Sequence, residues 1–127
     1  MTSSASPLFQ PLELPNGVVI PNRLCKAAME ENLCDEGQLP GDRLYELYRR
    51  WAEGGVGLTL TGNVMVAADA MTGPGGVVLQ AETDLAPFKR WAKMGTPPGG
   101  QLWMQINHPG RQVYEAMGET ALSPSDV

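Results

Sequence analysis

Two side-chain amides stand near the ends of apolar runs, where parallel strands would bring ligand-binding groups together. Asn63 follows one such run, and Gln105 lies close to the end of another. Each amide supplies a hydrogen-bond donor group and an acceptor. A third run leads into Ala27 and Ala28, whose small side chains would let a flat ligand approach the backbone closely. Ligands of parallel α/β folds bind outside the carboxyl ends of the strands, so this set suits a planar heterocycle with alternating donors and acceptors.

The same positions allow a plainer interpretation. A strand-end amide often satisfies neighbouring backbone groups, and position alone favours that role over ligand binding for both Asn63 and Gln105. Further along, His108 and Arg111 could form an active-site pair of cations. The Pro-Gly pair between them predicts a rigid turn, however, and favours a structural role in which both side chains satisfy buried carbonyl groups.

Other kinds of site are excluded by the residues present. Segment 54–57 is rich in glycine but precedes a predicted strand, and segment 73–76 lacks the Lys-Ser/Thr of a phosphate loop, so neither is a nucleotide fingerprint. The chain has 1 histidine and 2 cysteines, too few for a zinc site or a disulfide framework. We therefore predict no metal, and two reduced thiols in a cytoplasmic protein.

Charge and hydropathy exclude two classes of partner. The net charge is −5, from 9 basic and 14 acidic residues, and no basic cluster is larger than Arg49-Arg50, so we predict no nucleic-acid partner. The most apolar stretch, 56–68, is too short and too interrupted to cross a bilayer, and residues 1–7 lack the pattern of a signal peptide. We expect no membrane partner and a small-molecule substrate.

The first half of the chain predicts a hairpin, a strand and a helix. Segments 12–14 and 18–20 flank an Asn-Gly pair, which tolerates the positive φ angles of a tight turn. Run 24–29 is mostly apolar and predicts a buried strand. The helix over 42–53 is the clearest element, because its apolar residues repeat at helical spacing. They are Leu44, Leu47, Tyr48 and Trp51, with Asp42 expected to cap the start and Gly54 to supply the left-handed end.

The second half predicts a strand over 56–61, a loop over 62–76, an extended piece at 77–79, a helix over 84–94 and a buried strand over 102–106. The inner face of the second helix should consist of Leu85, Phe88 and Trp91 or Ala92, and Pro87 fits only its first turn. Helices that alternate with runs buried on both faces indicate parallel strands joined by right-handed crossovers. Both a doubly wound sheet and a (β/α)8 barrel satisfy this order, and a barrel needs about 250 residues.

Three sequence blocks carry a resemblance to a known family. Segment 21–29 resembles an opening Asn-Arg-hydrophobic…Ala/Ser-Pro-Met motif, segment 48–58 resembles YxxRAxGGxGL, and segment 104–111 resembles QLxHxGR. Segment 123–125 is similar to the Ala-Pro-Ser that follows. With the same order and spacing over nearly all of residues 8–127, the chain resembles the old yellow enzyme family of NADH:flavin oxidoreductases.

The resemblance implies the amino-terminal part of a TIM (β/α)8 barrel, about three β/α units plus the opening hairpin, with FMN at the carboxyl ends of the strands. By position, it implies that the flavin is lined by Ala27, Ala28, Met29, Glu30, Asn63 and Gln105, the last of which bonds the pyrimidine edge. In such enzymes NAD(P)H reduces FMN, which passes a hydride to the β-carbon of an activated alkene. The cofactor carries that chemistry and the protein orients it.

The sequence departs from the family pattern at three positions. Ala28 replaces the usual proline, Glu30 stands where relatives often carry Thr or Cys beside the flavin carbonyl, and Asn32 falls where some relatives place a substrate-facing Tyr. An ionised Glu30 would lower the reduction potential of a neighbouring flavin, whereas a protonated one could donate a hydrogen bond and raise it. We expect Glu30 to contact bound flavin and Asn32 to face the substrate.

The resemblance also implies that further parts of the site lie beyond residue 127. These are a His-His or His-Asn pair for the substrate, a proton-donating Tyr, a flavin-binding Arg and the phosphate-binding loops. Residues 1–127 are thus expected to form an incomplete part of a single FMN-binding domain, inactive alone. Two alternatives stay open: a non-catalytic piece that assembles with a complementary carboxyl-terminal barrel portion or with its own copies, and a small independent α/β binding module.

Overall fold

A computed structural model of the chain describes residues 6–125. The regular elements are, in chain order, strands β1 (Leu12–Glu13), β2 (Val19–Ile20) and β3 (Cys25–Lys26), helix α1 (Asp42–Glu53), strands β4 (Leu58–Met65) and β5 (Val77–Val78), helix α2 (Ala86–Gly95) and strand β6 (Gln101–Asn107). Short 3-10 turns lie at Pro7–Phe9, Glu36–Gln38, Gly110–Gln112 and Glu115–Met117. Within residues 6–125, the helices are too short and too polar to cross a membrane.

The predicted opening hairpin is confirmed. β1 and β2 pair antiparallel, with Leu12 opposite Ile20. The turn between them depends on Gly17, whose φ is +81°, and on the Asn16 Oδ1, which accepts a hydrogen bond from Val18 N at 3.2 Å. This is the side-chain and backbone chemistry that an Asn-Gly turn supplies.

The remaining strands form one sheet in which every pair is parallel, as predicted. β4 lies at its centre. β6 pairs along one edge of β4, from Leu58 opposite Gln101 to Met65 opposite Asn107. On the other edge, β3 pairs with the first residues of β4 and β5 pairs with its last two. The carboxyl ends of β3, β4 and β6 therefore point the same way.

Three strand predictions are wrong in extent or burial. The strand expected over 24–29 is ordered as a strand only at Cys25–Lys26. The strand expected to end at residue 61 continues through Asn63 to Met65, because β5 and β6 pair with its last residues. The strand expected to be buried on both faces is largely exposed over 103–106, because these side chains belong to neither hydrophobic cluster of the described residues.

The first helix has the predicted bounds, and it packs with the second helix against β4 and β5. Its buried face is turned slightly from the predicted one, since Leu44, Tyr45, Tyr48 and Ala52 are buried while Leu47 and Trp51 are half-buried. Its caps were also mispredicted. Gly41 takes the capping position before Asp42, and Gly55, with φ of +83°, is the left-handed residue instead of Gly54.

The second helix begins two residues later than predicted, and Pro87 lies in its first turn as expected. Leu85 is exposed, so its assignment to the inner face is wrong, whereas Phe88 and Trp91 are buried as predicted. The Trp91 and Tyr48 rings meet edge to face, with centroids 5.0 Å apart. Such aromatic pairs add about 0.5–1.5 kcal/mol beyond area burial, so this contact ties the two helices together.

Candidate functional site at the carboxyl ends of the strands

The predicted site residues come from neighbouring strand ends. Glu30 follows β3, and the side chain of Asn63 reaches it from β4, with Asn63 Nδ2 3.4 Å from Glu30 Oε1. Gln105 lies on β6 directly opposite Asn63 in the register. The structure thus brings Glu30 and Asn63 into contact and places Gln105 beside them, although Asn63 lies within a strand and not after one.

Thr72 joins this group, and the sequence analysis missed it. Its Oγ1 donates to Glu30 Oε1 at 2.6 Å and accepts from Asn63 Nδ2 at 2.5 Å. The hydrogen bonds therefore run from the Asn63 amide through the Thr72 hydroxyl to the Glu30 carboxylate, which acts as an acceptor. The only sequence signal was a hydroxyl residue in a loop after a strand end, which is too common to select Thr72.

The other predicted flavin-lining residues lie at the same edge of the sheet. Ala27 is exposed, Ala28 is half-buried, and the side chain of Met29 is 50% exposed. The Gln105 side chain is exposed as well, while its backbone N–H donates to Thr61 Oγ1 at 2.9 Å. The carboxyl end of the sheet thus presents small residues and an apolar Met side chain after β3, and an exposed amide on β6.

A cleft of about 540 Å³ opens beside Glu30 and Thr72, and segment 111–114 forms its other wall. Its volume lies within the usual range for small-molecule sites, about 300–1,000 Å³. Asn32 lies outside this cleft. Its backbone has a φ of +52°, and its Oδ1 packs so close to Gly73 that a Cβ there would come within 2.7 Å.

The turn predicted at 108–111 is present, but its side chains do not satisfy buried carbonyl groups. His108 is exposed and its Nδ1 accepts a hydrogen bond from Gly110 N at 3.0 Å. Arg111 is exposed and lines the cleft. The structural role predicted for His108 is thus that of an acceptor within its own turn, and Arg111 supplies a positive charge to the cleft wall.

Glu31, the residue after Glu30, belongs to a buried polar network that the sequence analysis also missed. The Lys26 and Glu31 side chains are 7% and 11% exposed, with Nζ and Oε1 3.8 Å apart. The Tyr48 hydroxyl donates to Glu31 Oε1 and accepts from Gly62 N at 2.8 Å. Lys26 Nζ also donates to Leu60 O at 2.8 Å.

Burial changes the pKa values of two residues in this network, Lys26 and Tyr48. Burial lowers the pKa of Lys26, and the charge of Glu31 acts in the opposite direction. Burial also raises the pKa of the Tyr48 phenol, with a further contribution from its hydrogen bond to Glu31, so the phenol stays protonated and donates. Lys26 stood in an apolar run, and nothing local indicated that Tyr48 and Glu31 would meet it.

Comparison with known proteins identifies the family. The sequence matches the family described as NADH:flavin oxidoreductase / NADH oxidase over residues 7–127. The chain belongs to the NADH:flavin oxidoreductase / NADH oxidase family. The resemblance drawn from the three sequence blocks is confirmed.

Relatives in this family come from fungi and bacteria. An NADH-dependent flavin oxidoreductase of Hypocrea jecorina (strain QM6a) is 38% identical over 106 residues, covering 80% of this chain and 26% of the relative. One of Talaromyces variabilis is 30% identical, covering 94% and 30%. An NADH oxidase of Thermoanaerobacter brockii is 35% identical, covering 87% and 17%. The chain thus spans at most 30% of the length of these three relatives.

Solved structures give the fold of this family member. Morphinone reductase in complex with tetrahydroNAD superposes with a TM-score of 0.81 at 22% identity, covering 97% of this chain and 34% of that one. An old yellow enzyme homologue from Zymomonas mobilis gives 0.80 at 19% identity, covering 94% and 33%. Of the two architectures compatible with the element order, the amino-terminal part of the old yellow enzyme TIM barrel is therefore the correct one.

Proposed function

We propose that residues 1–127 form the flavin-facing, amino-terminal part of a single FMN-binding barrel domain in an NAD(P)H-driven oxidoreductase. The observation that carries this proposal is the juxtaposition of Glu30, Asn63 and Gln105 at one edge of a parallel sheet, beside an open cleft. Membership of a flavin oxidoreductase family supports the choice of cofactor. The relatives are several times longer, which supports an incomplete domain.

The donors and acceptors at this edge fit a flavin. The exposed Gln105 amide offers both a donor and an acceptor, which matches the alternating groups of a pyrimidine edge. Ala27 and Ala28 leave room for a flat ring system near the backbone of β3, and the half-exposed Met29 offers an apolar contact. When bound, FMN would supply hydride transfer from NAD(P)H to an activated alkene, and these residues would orient it.

Glu30 would tune such a cofactor. Its carboxylate accepts a hydrogen bond from Thr72 Oγ1 at 2.6 Å, and Thr72 Oγ1 in turn accepts one from the Asn63 amide. A negative charge held there would oppose electron uptake by a flavin in contact with it and lower its reduction potential. Replacing Glu30 with Gln should therefore raise the potential of bound FMN, and an unchanged potential would count against contact.

The substrate would be a small molecule bound in the cleft. Arg111 gives its wall a positive charge. Asn32 lies outside the cleft and is a candidate substrate contact only through its position in the family pattern. Asn32 packs against Gly73, so it would reach the substrate only if the loop around residue 73 also borders the bound molecule. Comparing the Michaelis constants of Asn32→Ala and the unchanged protein for one activated alkene would test that role.

Flavin binding can be tested with a matched pair of glutamines on β6. Gln105 lies at the carboxyl end of the strand and Gln101 at its amino end. In a form of the protein that includes the complementary barrel portion, Gln105→Ala should weaken FMN binding about tenfold, the loss of a hydrogen bond worth about 1.4 kcal/mol. Gln101→Ala should change it less than about twofold. Equal effects would refute the assignment of Gln105.

The isolated chain should bind FMN weakly or not at all, because the resemblance places the phosphate-binding loops beyond residue 127. A visible absorbance band that co-purifies with the 127-residue chain would contradict this. The measurement needs only the purified chain, free FMN and a spectrophotometer, and it is independent of any enzymatic assay.

A second candidate function is a non-catalytic piece that assembles with a complementary chain or with its own copies. The exposed apolar side chains of β6 favour it, since Trp103 is 42% and Ile106 is 67% exposed on an edge strand. Such edges pair readily with other strands. A co-purifying partner of about 250 residues would support this candidate, since whole barrels range from about 200 to more than about 400 residues. A monodisperse monomer that melts cooperatively would favour the independent binding module instead.

A further inference from the structure

One irregularity in the sheet lies directly beneath the proposed flavin site. Leu60 pairs with Trp103, but the next pair is Asn63 with Gln105, so β4 has one more residue than β6 between them. This is a β-bulge, a feature that bends a strand and redirects the side chains around it. The two amides that frame the site, those of Asn63 and Gln105, come immediately after it.

The buried network holds this bulge from the helix side. Lys26 Nζ donates a hydrogen bond at 2.8 Å to the carbonyl oxygen of Leu60, the last residue before the register shift. The N–H of Gly62, inside the bulge, donates to Tyr48 Oη at 2.8 Å and to Glu31 Oε1 at 3.2 Å. These bonds satisfy backbone groups at the point where the ladder is interrupted, and unpaired buried backbone groups are costly. The network therefore supplies partners for the bulged backbone of β4.

Close packing leaves this arrangement little freedom. A Cβ on Gly62 would lie 2.1 Å from Glu31 Oε2 and 2.4 Å from Met29 O, so only glycine fits between the two segments. Lys26 Nζ lies 4.2 Å from the centroid of the Trp51 ring, which fixes the ammonium group against α1. Since Glu30 and Glu31 are adjacent, anchoring Glu31 below also fixes the direction in which Glu30 faces the cleft.

The opposite side of the bulge is tied to β6. Gln105 N donates to Thr61 Oγ1 at 2.9 Å, so the register of β6 at Gln105 depends on the residue that the bulge displaces. A change on the helix side of β4 would thus be transmitted through one strand to the Gln105 amide.

We propose that Lys26, Glu31 and Tyr48 are positioning residues for the proposed flavin site, which set the bulge in β4 and thereby the directions of Asn63, Gln105 and Glu30. This inference rests on the proposed function for the identity of the ligand. The geometry of the bulge itself can be tested in the 127-residue chain without any flavin.

The test compares two phenols on one helix. Tyr48→Phe removes the hydroxyl that bonds Gly62. Tyr45→Phe removes a hydroxyl on the same helix that lies 2.7 Å from Pro40 O and 3.1 Å from Pro87 O, and has no hydrogen bond to β4 among the described residues. In Tyr48→Phe, the amides of Gly62 and Gln105 should exchange with solvent about tenfold faster, and the side-chain NH2 resonances of Asn63 and Gln105 should move. Tyr45→Phe should leave these signals unchanged. Uniformly faster exchange along the chain in Tyr48→Phe, or equal behaviour of the two variants, would overturn the proposal.

Two further measurements keep the test decisive. If Tyr48→Phe does not fold, Glu31→Gln serves in its place, with Glu46→Gln on the solvent face of α1 as its control. In the FMN-binding form of the protein, Tyr48→Phe should weaken FMN about tenfold and Tyr45→Phe less than about twofold. Equal losses of FMN affinity in Tyr48→Phe and Tyr45→Phe would overturn the flavin-positioning role. A protein that binds no FMN in any form would refute the proposed function, and with it the flavin role, while the exchange data would still decide whether the network sets the bulge.

Discussion

β4 and β6 are adjacent parallel strands, and both are apolar, but their surroundings differ. β4 pairs on both edges, and its residues Val64 and Met65 pack into separate clusters on the two faces of the sheet. β6 pairs on one edge and leaves Trp103 and Ile106 exposed. The contrast shows that the end of β4 is covered on both faces within the chain, whereas β6 has apolar surface suited to further cover.

The solvent face of α1 differs from the exposed part of β6 in the chemistry of its side chains. That face is exposed too, but it carries Glu46, Arg49 and Arg50 in mutual ion pairs. Charged side chains are mostly exposed to solvent in folded proteins, whereas large apolar side chains such as those of β6 are mostly buried. The exposed charged residues of α1 are therefore typical of a solvent-facing surface. The exposed apolar residues of β6 are typical of an interface, such as one with the rest of a barrel.

The largest expected effect separates the covered from the open region. Trp91→Ala, in the core between α2 and β4, should lower the free energy of unfolding by about 3–5 kcal/mol. Ile106→Ala, at an exposed position of β6, should change it by less than about 0.5 kcal/mol. Urea denaturation followed by circular dichroism measures both. Comparable losses in the two variants would mean that β6 is already covered in the isolated chain.

The second effect should appear only on assembly. Burying an isoleucine side chain is worth about 1.5–3 kcal/mol, so Ile106→Ala should weaken association with a complementary barrel portion by at least about tenfold. Ala116→Ser, at an exposed position in a 3-10 turn, is a suitable control because it changes a small surface residue. Association that is insensitive to Ile106 would place the interface elsewhere.

A third prediction compares the two amides themselves. The Asn63 side chain is held by Thr72, whereas the Gln105 side chain is exposed. In the chain without ligand, we expect an NMR order parameter of about 0.8 for the Asn63 side chain and below about 0.6 for Gln105. Thr72→Val should lower the Asn63 value toward that of Gln105. Equal order parameters in the unchanged chain would show that Thr72 does not preorganise the site.

The smallest effect concerns pH and the charged face of α1. Hydrogen bonds from Arg49 and Arg50 lower the pKa of Glu46 from 4.5 to about 2. Because the folded-state pKa is depressed, the stabilisation is present above pH 4.5 and is lost as the pH falls toward 2. These groups are exposed, so the change in Tm should be small, absent in Glu46→Gln and weaker at high salt. A large, salt-independent change would indicate a buried group instead.

The sequence predicted the local elements well and the long-range ones less well. The hairpin and the bounds of α1 follow from a turn motif and from periodicity, which depend on neighbouring residues only. The extension of β4 through Asn63 depends on pairing with β5, which lies more than ten residues away. No local pattern contains that information.

The site shows the same division. Strand-end position selected Asn63 and Gln105, the family pattern added Glu30, and the structure places all three at one edge. The sequence did not predict the roles of Thr72 and Lys26, because both roles arise from tertiary contacts. Thr72 lies in a loop and contacts Glu30, and Lys26 lies in a mostly apolar run and contacts Leu60 O. A lysine within an apolar run indicates a buried charge, and burial requires partners for that charge.

The most direct test of this account is an FMN-bound structure of a form that includes the complementary barrel portion. We predict that the Gln105 amide lies within about 3.2 Å of the pyrimidine edge of the isoalloxazine, and that the Glu30 side chain contacts the same ring system. FMN bound at another edge of the barrel, or a Glu30 carboxylate turned into solvent beside bound FMN, would contradict it.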